Sequence, residues 1–141
     1  MPKLTALKEF YSEELCRLNP NTLFVFGDNL ICKGKGGQAI IRSEPNTLGI
    51  ATKALPYTHK RSFFDDNNPS HYKYLLEDIA RLQYHLHIHS EYNQIVLPYA
   101  GLGTGLSEMP QRAPKLFKLL TKLVYKDNDL PYEHLLELLK D

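Results

Sequence analysis

Cysteine, net charge and long apolar runs are what this chain has least of, and each shortage excludes something. The two cysteines, Cys16 and Cys32, have neither metal-type spacing nor the density of a disulfide framework, so a reducing cytoplasm is the simpler setting. A formal net charge of +1 supplies no field for nucleic acid. The basic residues are scattered, and only Lys33, Lys35 and Lys53 suggest a local positive site. No stretch approaches the roughly 20 apolar residues of a membrane-spanning helix, and Met-Pro-Lys-Leu does not begin a signal pattern. The expectation is a soluble, cytoplasmic protein with no membrane partner. Repeats and low-complexity tracts are absent, and 141 residues suffice for a single domain, 1–141, with a real core.

Glycine is scarce as well, but it is concentrated. Of the eight glycines, Gly27, Gly34, Gly36 and Gly37 fall in one stretch and Gly101, Gly103 and Gly105 in another. The first stretch, Leu23 to Arg42, opens as an apolar run, passes Gly27-Asp28-Asn29 and the glycine loop, and enters a helix-competent segment, Gln38 to Arg42. The second follows the apolar run Ile95-Val96-Leu97-Pro98. A strand emptying into a glycine loop and a helix N-terminus presents backbone N–H groups to an anion. Glycine costs backbone entropy on folding, so its concentration points to close approach by a ligand or another backbone.

Taken in order, Leu4, Leu7, Phe10, Tyr11, Leu15 and Leu18 recur at helical spacing, and Asn19-Pro20-Asn21 ends that helix. Strands are expected at Thr22 to Gly27, Leu48 to Thr52 and Gln94 to Pro98. A turn is expected at Glu44-Pro45-Asn46. Ala54 to Pro69 is a long irregular connection of the kind that covers a site as a lid. Ser70 is the expected N-cap of a helix to about His87 with a buried stripe of Tyr74, Leu75, Ile79, Leu82 and Leu86. Pro110 to Tyr125 reads as one amphipathic helix with Pro114 in its first turns, and a last helix runs through Leu135 to Leu139. Alternating strands and helices imply a three-layer α/β/α domain with a mixed, largely parallel central sheet. Ligands on such sheets bind at the carboxyl ends of the strands, which places both glycine loops on one cleft.

Gly34-Lys35-Gly36-Gly37-Gln38-Ala39 formally fits the dinucleotide pattern G-x-G-x-x-[GA], but it lies too far from the strand, and the acidic residue due about 20 positions on is missing. Nor is it a P-loop, because no hydroxyl follows Gly34-Lys35 to hold magnesium. The combination does resemble macrodomains. Asn29-Leu30 with Gly34 to Ile40 resembles one macrodomain signature, and Ile95 to Leu106 with its G-x-G resembles the other. Gly49 to Lys53 and the helix from Ser70 are similar to elements of the terminal ADP-ribose and DNA ADP-ribosyl glycohydrolases. The likeness is strongest to an uncharacterised macro-like family of phages and bacteria that carries FGDN, GGQA, R-x-EPN, the T-K pair and GLGTGL. Together these cover roughly residues 22 to 124.

The resemblance implies a macro-like fold whose cleft takes ADP-ribose or a related NAD-derived nucleotide. On it, Asn29 holds the distal ribose. Gly27, Gly34, Gly36, Gly37 and Gln38 line one side of the ligand, and Gly101, Gly103, Thr104, Gly105, Leu106 and Ser107 line the other. Three departures stand out. Ser107 occupies the position of the glycohydrolases' catalytic aspartate, the adenine-recognising aspartate has no counterpart, and only three strands are legible.

For single residues two readings stand side by side. Asp28 either positions a ribose hydroxyl or acts as general base, or it caps its loop through backbone amides. Lys35 and Lys53 either meet phosphate or attack an anomeric carbon, or remain solvated. Glu108 is an alternative acid beside Ser107. Arg42 either binds ligand or pairs with Glu44. Cys32 is a nucleophile only if a histidine reaches it, and none is near in sequence. His85, His87 and His89 face together and suit zinc only if extended, whereas in a helix only His85 and His89 share a face. The expected function is binding of an ADP-ribose-class nucleotide, with hydrolysis of an ADP-ribosyl bond in which Asn29, Asp28, Lys35, Lys53 and Glu108 are the catalytic candidates. ADP-ribosylated protein or nucleic acid would be the partner, and neither metal nor cofactor is called for. The alternatives are a non-catalytic nucleotide-sequestering or reader module and a cleft converted to protein interaction.

Overall fold

The computed structural model describes residues 2–126. Its centre is a sheet of four parallel strands in the order β1-β4-β2-β3, formed by β1 (Lys3–Leu7), β2 (Thr22–Asn29), β3 (Thr47–Lys53) and β4 (Gln94–Pro98). The helices are α1 (Glu13–Leu18), α2 (Pro69–His87), α3 (Met109–Arg112) and α4 (Pro114–Thr121). This is an α/β/α arrangement. The described strands are parallel throughout rather than mixed, and the sequence-based helix at 135–139 lies outside the described residues.

Two cores flank the sheet because successive strand side chains point to opposite faces. Leu23 and Val25 of β2 and Ile95 and Leu97 of β4 join Leu75, Ile79 and Leu82 of α2 and Leu116 and Leu120 of α4. Phe24, Phe26 and Val96 point the other way, onto Cys16 of α1 and onto Ala39 and Ile41. With both faces covered, these strands read as continuous apolar runs, which is why they were legible.

The helix expected from Leu4 to Leu18 is instead a strand, an irregular link and a short helix. Leu4 packs on the larger core and Leu7 on the smaller, so β1 spans both faces, and its leucines mimic helical spacing by accident. Phe10, which shares that spacing, is 98% exposed. The segment Gln38 to Arg42 is a five-residue 3₁₀ turn, Gly37–Ile41, too short for the dipole of a long helix to act on an anion. At α2 the cap is Asn68 and not Ser70. The Asn68 side chain accepts the Ser70 amide at 2.9 Å, and Pro69 takes the first helical position. Tyr74 is exposed rather than part of the buried stripe.

The helix expected from Pro110 to Tyr125 breaks at Ala113, whose backbone (φ −145°, ψ 66°) leaves the helical region. Pro114 disfavours the α conformation in the residue before it and has no N–H to continue the ladder. Among the described residues no helix is long and apolar enough to cross a membrane.

Candidate functional site

The cleft begins where the sheet comes apart. β2 and β4 pair only from Thr22 with Gln94 to Phe24 with Val96. At the end of that pairing the Tyr11 hydroxyl donates to the Val25 carbonyl at 2.7 Å and, more weakly, to the Val96 carbonyl at 3.3 Å. Burial pushes the Tyr11 phenol pKa far up, so it remains a donor. The glycine loops leave the two diverging carboxyl ends.

Gly36, Gly37 and Gln38 of the first loop and Gly103 and Gly105 of the second line one hollow of about 170 Å³, with Thr52 of β3 and Ser107. Backbone segments far apart in sequence therefore do converge, as expected for both loops. A second hollow of about 130 Å³ shares Gly27, Gly36, Leu106 and Ser107 with the first and adds Asp28, Asn29, Gly34, Lys33 and Lys53. Leu106, 68% exposed, stands between them, its Cδ1 3.3 Å from where a Cβ on Gly36 would lie.

The polar residues singled out from the sequence are mostly occupied. Asp28 is nearly buried and holds Arg42 through both carboxylate oxygens, each 3.1 Å from Nε, while Oδ1 also accepts the Asn29 amide at 2.8 Å. Both carboxylate oxygens are committed to Arg42 and the Asn29 amide, so the loop-fixing reading fits Asp28 better. Arg42 thus pairs with Asp28 and not with Glu44, whose partner is Arg17 at 2.9 Å. The Asn29 amide donates to the Lys33 carbonyl at 2.7 Å, and its oxygen accepts the Ile31 and Lys33 amides at 3.2 and 3.4 Å. It folds its own loop.

In the second loop, Thr104 closes the turn on the Ala100 carbonyl at 2.7 Å. Ser107 Oγ lies 2.5 Å from Thr52 Oγ1, tying that loop to β3. Gly101 is the acceptor for Gln38, and the Leu102 amide donates to the hydroxyl of Tyr125 at 3.2 Å. Glu108 has left-handed backbone (φ 48°) and pairs with Arg112 at 3.4 Å, outside both hollows.

The two lysines separate. Lys35 is exposed and lines neither hollow. Lys53 lines the smaller one, donates to the Tyr57 carbonyl at 2.8 Å and sits 4.7 Å from the Phe63 ring centroid. Burial lowers its pKa from the usual lysine value. For Cys32, burial and the nearby Asp28 push the thiol up, the opposite of an activated nucleophile. His85 and His87 belong to α2, and no group of three His, Cys, Asp or Glu among the described residues is placed to hold a metal.

Sequence reasoning missed an aromatic hollow of about 500 Å³ beside the loops. Phe10, Tyr11 and Tyr99 line it together with Gly37 and Gln38, and Phe10 and Tyr99 are 98% and 67% exposed. The signal was an aromatic pair just past the ends of β1 and β4, hidden because β1 was read as helix.

A family model described as a family of unknown function (DUF7831) matches residues 6–123. No curated protein and no solved structure matches the chain significantly.

Proposed function

The chain belongs to the DUF7831 family, of unknown function, and from the cleft itself we propose that it binds a nucleotide of the ADP-ribose class. The observation carrying this reading is the single hollow lined by Gly36 and Gly37 from the end of β2 and by Gly103 and Gly105 from the end of β4. Two backbone walls poor in side chains suit a diphosphate, which gains from N–H groups and tolerates no Cβ between. The aromatic hollow shares Gly37 and Gln38 with that site, so a base leaving the diphosphate would stack on Phe10 or Tyr99. In the other direction, the smaller hollow with Lys53 takes the distal sugar. The macrodomain resemblance points to the same assignment of parts. A reducing cytoplasmic setting, inferred from the cysteines, is where NAD-derived ligands are met.

The lowered pKa of Lys53 favours a second step at the same site, cleavage of the bond at the sugar's anomeric carbon. Its amine would attack that carbon, the attached group would leave with the proton, and water would then free the sugar. Ser107 is held by Thr52, Asp28 is held by Arg42 and Glu108 lies outside both hollows, whereas Lys53 lines the smaller one with its amine on the Tyr57 carbonyl, a bond that an entering sugar would replace. The substrate would be an ADP-ribosylated protein or nucleic acid.

Calorimetric titration with ADP-ribose, ADP and NAD tests the binding reading. ADP-ribose is expected to bind more tightly than ADP, and no heat with any of them at millimolar concentration would overturn it. Lys53→Met is expected to retain ADP-ribose binding within about threefold, under 1 kcal/mol, and to abolish release of ADP-ribose from modified substrates. Turnover undiminished in that variant would remove Lys53 from the chemistry.

A further inference from the structure

Gln38 does not offer its amide to a ligand. Its Oε1 accepts the Gly27 backbone N–H at 2.8 Å, and its Nε2 donates to the Gly101 carbonyl at 3.0 Å, across 63 residues of sequence. These bonds cross the split between β2 and β4 beyond the point where the strands stop pairing at Phe24 and Val96. The Tyr11 hydroxyl makes the first stitch across that split, and the Gln38 amide makes the next. Gly27 lets the amide in, since a Cβ there would stand 3.3 Å from Gln38 Oε1 and 3.3 Å from Thr52 Oγ1. The backbone carrying Gln38 is anchored by Ala39 and Ile41, both buried in the smaller core.

We propose that Gln38 sets the separation of the two glycine loops and is a positioning residue for the ligand between them. For the identity of that ligand the inference rests on the nucleotide reading above; for the separation of the loops it does not. The chemistry is demanding because one loop presents a donor and the other an acceptor. A primary amide answers both with one planar group. A carboxylate accepts from Gly27 but turns a second acceptor toward the Gly101 carbonyl, and a methionine of similar length satisfies neither. A protonated carboxyl again carries an acceptor and a donor. Gln38→Glu therefore converts the strap into one that a single proton closes.

The test uses the full chain and two variants, Gln38→Met and Gln38→Glu, with cooperative thermal melting as the check on folding. Without ligand, amide hydrogen exchange at Gly27 is expected to accelerate at least about tenfold in Gln38→Met. In ADP-ribose titrations, Gln38→Met is expected to bind at least about tenfold more weakly than the parent. Gln38→Glu should bind weakly near about pH 8 and recover toward parental affinity near about pH 4 to 5, as its carboxyl, whose pKa the facing Gly101 carbonyl raises above the usual glutamate value, takes up a proton, while Gln38→Met shows no recovery. A residue that merely filled space would not produce that pH-dependent rescue. Unchanged Gly27 exchange, or a Gln38→Glu variant whose deficit is the same at both pH values, would overturn the inference. If the parent chain binds no ADP-ribose, the nucleotide reading falls, and Gly27 exchange alone decides the strap. If Gln38→Met does not fold, Gln38→Glu decides through the pH dependence of its ADP-ribose affinity and of its melting temperature relative to the parent, because its carboxylate still accepts the Gly27 amide.

Discussion

Gly103 and Gly105 lie two positions apart, and the structure asks for glycine at them for different reasons. Gly103 has φ +81°, and a Cβ on it would come within 2.6 Å of Met109 Sδ, whereas a Cβ on Gly105 would meet nothing within 4 Å. The first glycine serves the protein's own packing, and the second leaves space that the protein does not use. Gly103→Ala is therefore expected to cost about 1–3 kcal/mol of stability in urea unfolding, from left-handed strain and the collision with Met109. Gly105→Ala should leave stability within about 0.5 kcal/mol and weaken ADP-ribose binding. Equal losses of stability in the two variants would mean that the hollow at Gly105 is not the open space described. The same contrast explains how the polar candidates were read. The sequence displays Asp28, Asn29 and Ser107 beside the loops, but not that Arg42, the Lys33 backbone and Thr52 already claim them.

Among the elements, the connection from Ala54 to Pro69 does more than its sequence reading as a lid suggests: Pro56 lines the smaller hollow, and the rest is fastened to the fold. Ser62 O accepts the Ala54 and Leu55 amides at 2.8 and 3.1 Å. Asp66 reaches the start of α4, where its two oxygens accept the Lys115 and Leu116 amides at 3.0 and 2.9 Å. The segment is a clasp that caps a helix some fifty residues away in sequence, and Pro114 at the head of α4 leaves those amides to be capped from outside. Asp66→Ala is expected to destabilise the chain by about 0.5–2 kcal/mol, the range of a lost N-cap. A change below about 0.3 kcal/mol in urea unfolding would count against the clasp. That cap was illegible because donor and acceptor are far apart in sequence, and so was β1, whose pairing with β4 leaves no local trace. The elements legible beforehand, β2, β3, β4 and α2, are those whose burial is continuous or regularly spaced. The edge of β3 follows the same logic of distant partners. Asp78 of α2 accepts the Ala51 amide at 2.7 Å and Arg81 donates to the Gly49 carbonyl at 3.3 Å, so the helix closes an edge otherwise open to another strand.

For the molecule as a whole, the balance between the two cores and the clasp makes stability depend on pH through His71. This side chain opens α2, stacks on Phe64 at 4.7 Å and accepts the Asp65 amide on Nδ1 at 2.9 Å. Asn68 faces its other nitrogen at 3.3 Å. Burial lowers its pKa, outweighing the nearby Asp65, which acts to raise it. Burial likewise lowers His85, near the other end of α2. A histidine whose folded pKa lies below its unfolded value of about 6.5 binds its proton first in the unfolded chain, so stability rises with pH across that interval and is lost as pH falls through it. Asp78 works in the opposite sense at lower pH. Burial raises its pKa in the fold, so stability contributed by its protonated form is lost as pH rises. The expected outcome is a urea midpoint that declines as pH drops below about 6.5, with Nδ1 protonation releasing the Asp65 amide and loosening the turn that carries Asp66. His71→Gln keeps an acceptor for that amide but does not titrate, so it should flatten the decline and leave only the part due to His85. A His71→Gln curve parallel to that of the parent between pH values of about 7.5 and 5.5 would show that the clasp and the larger core do not sense this proton.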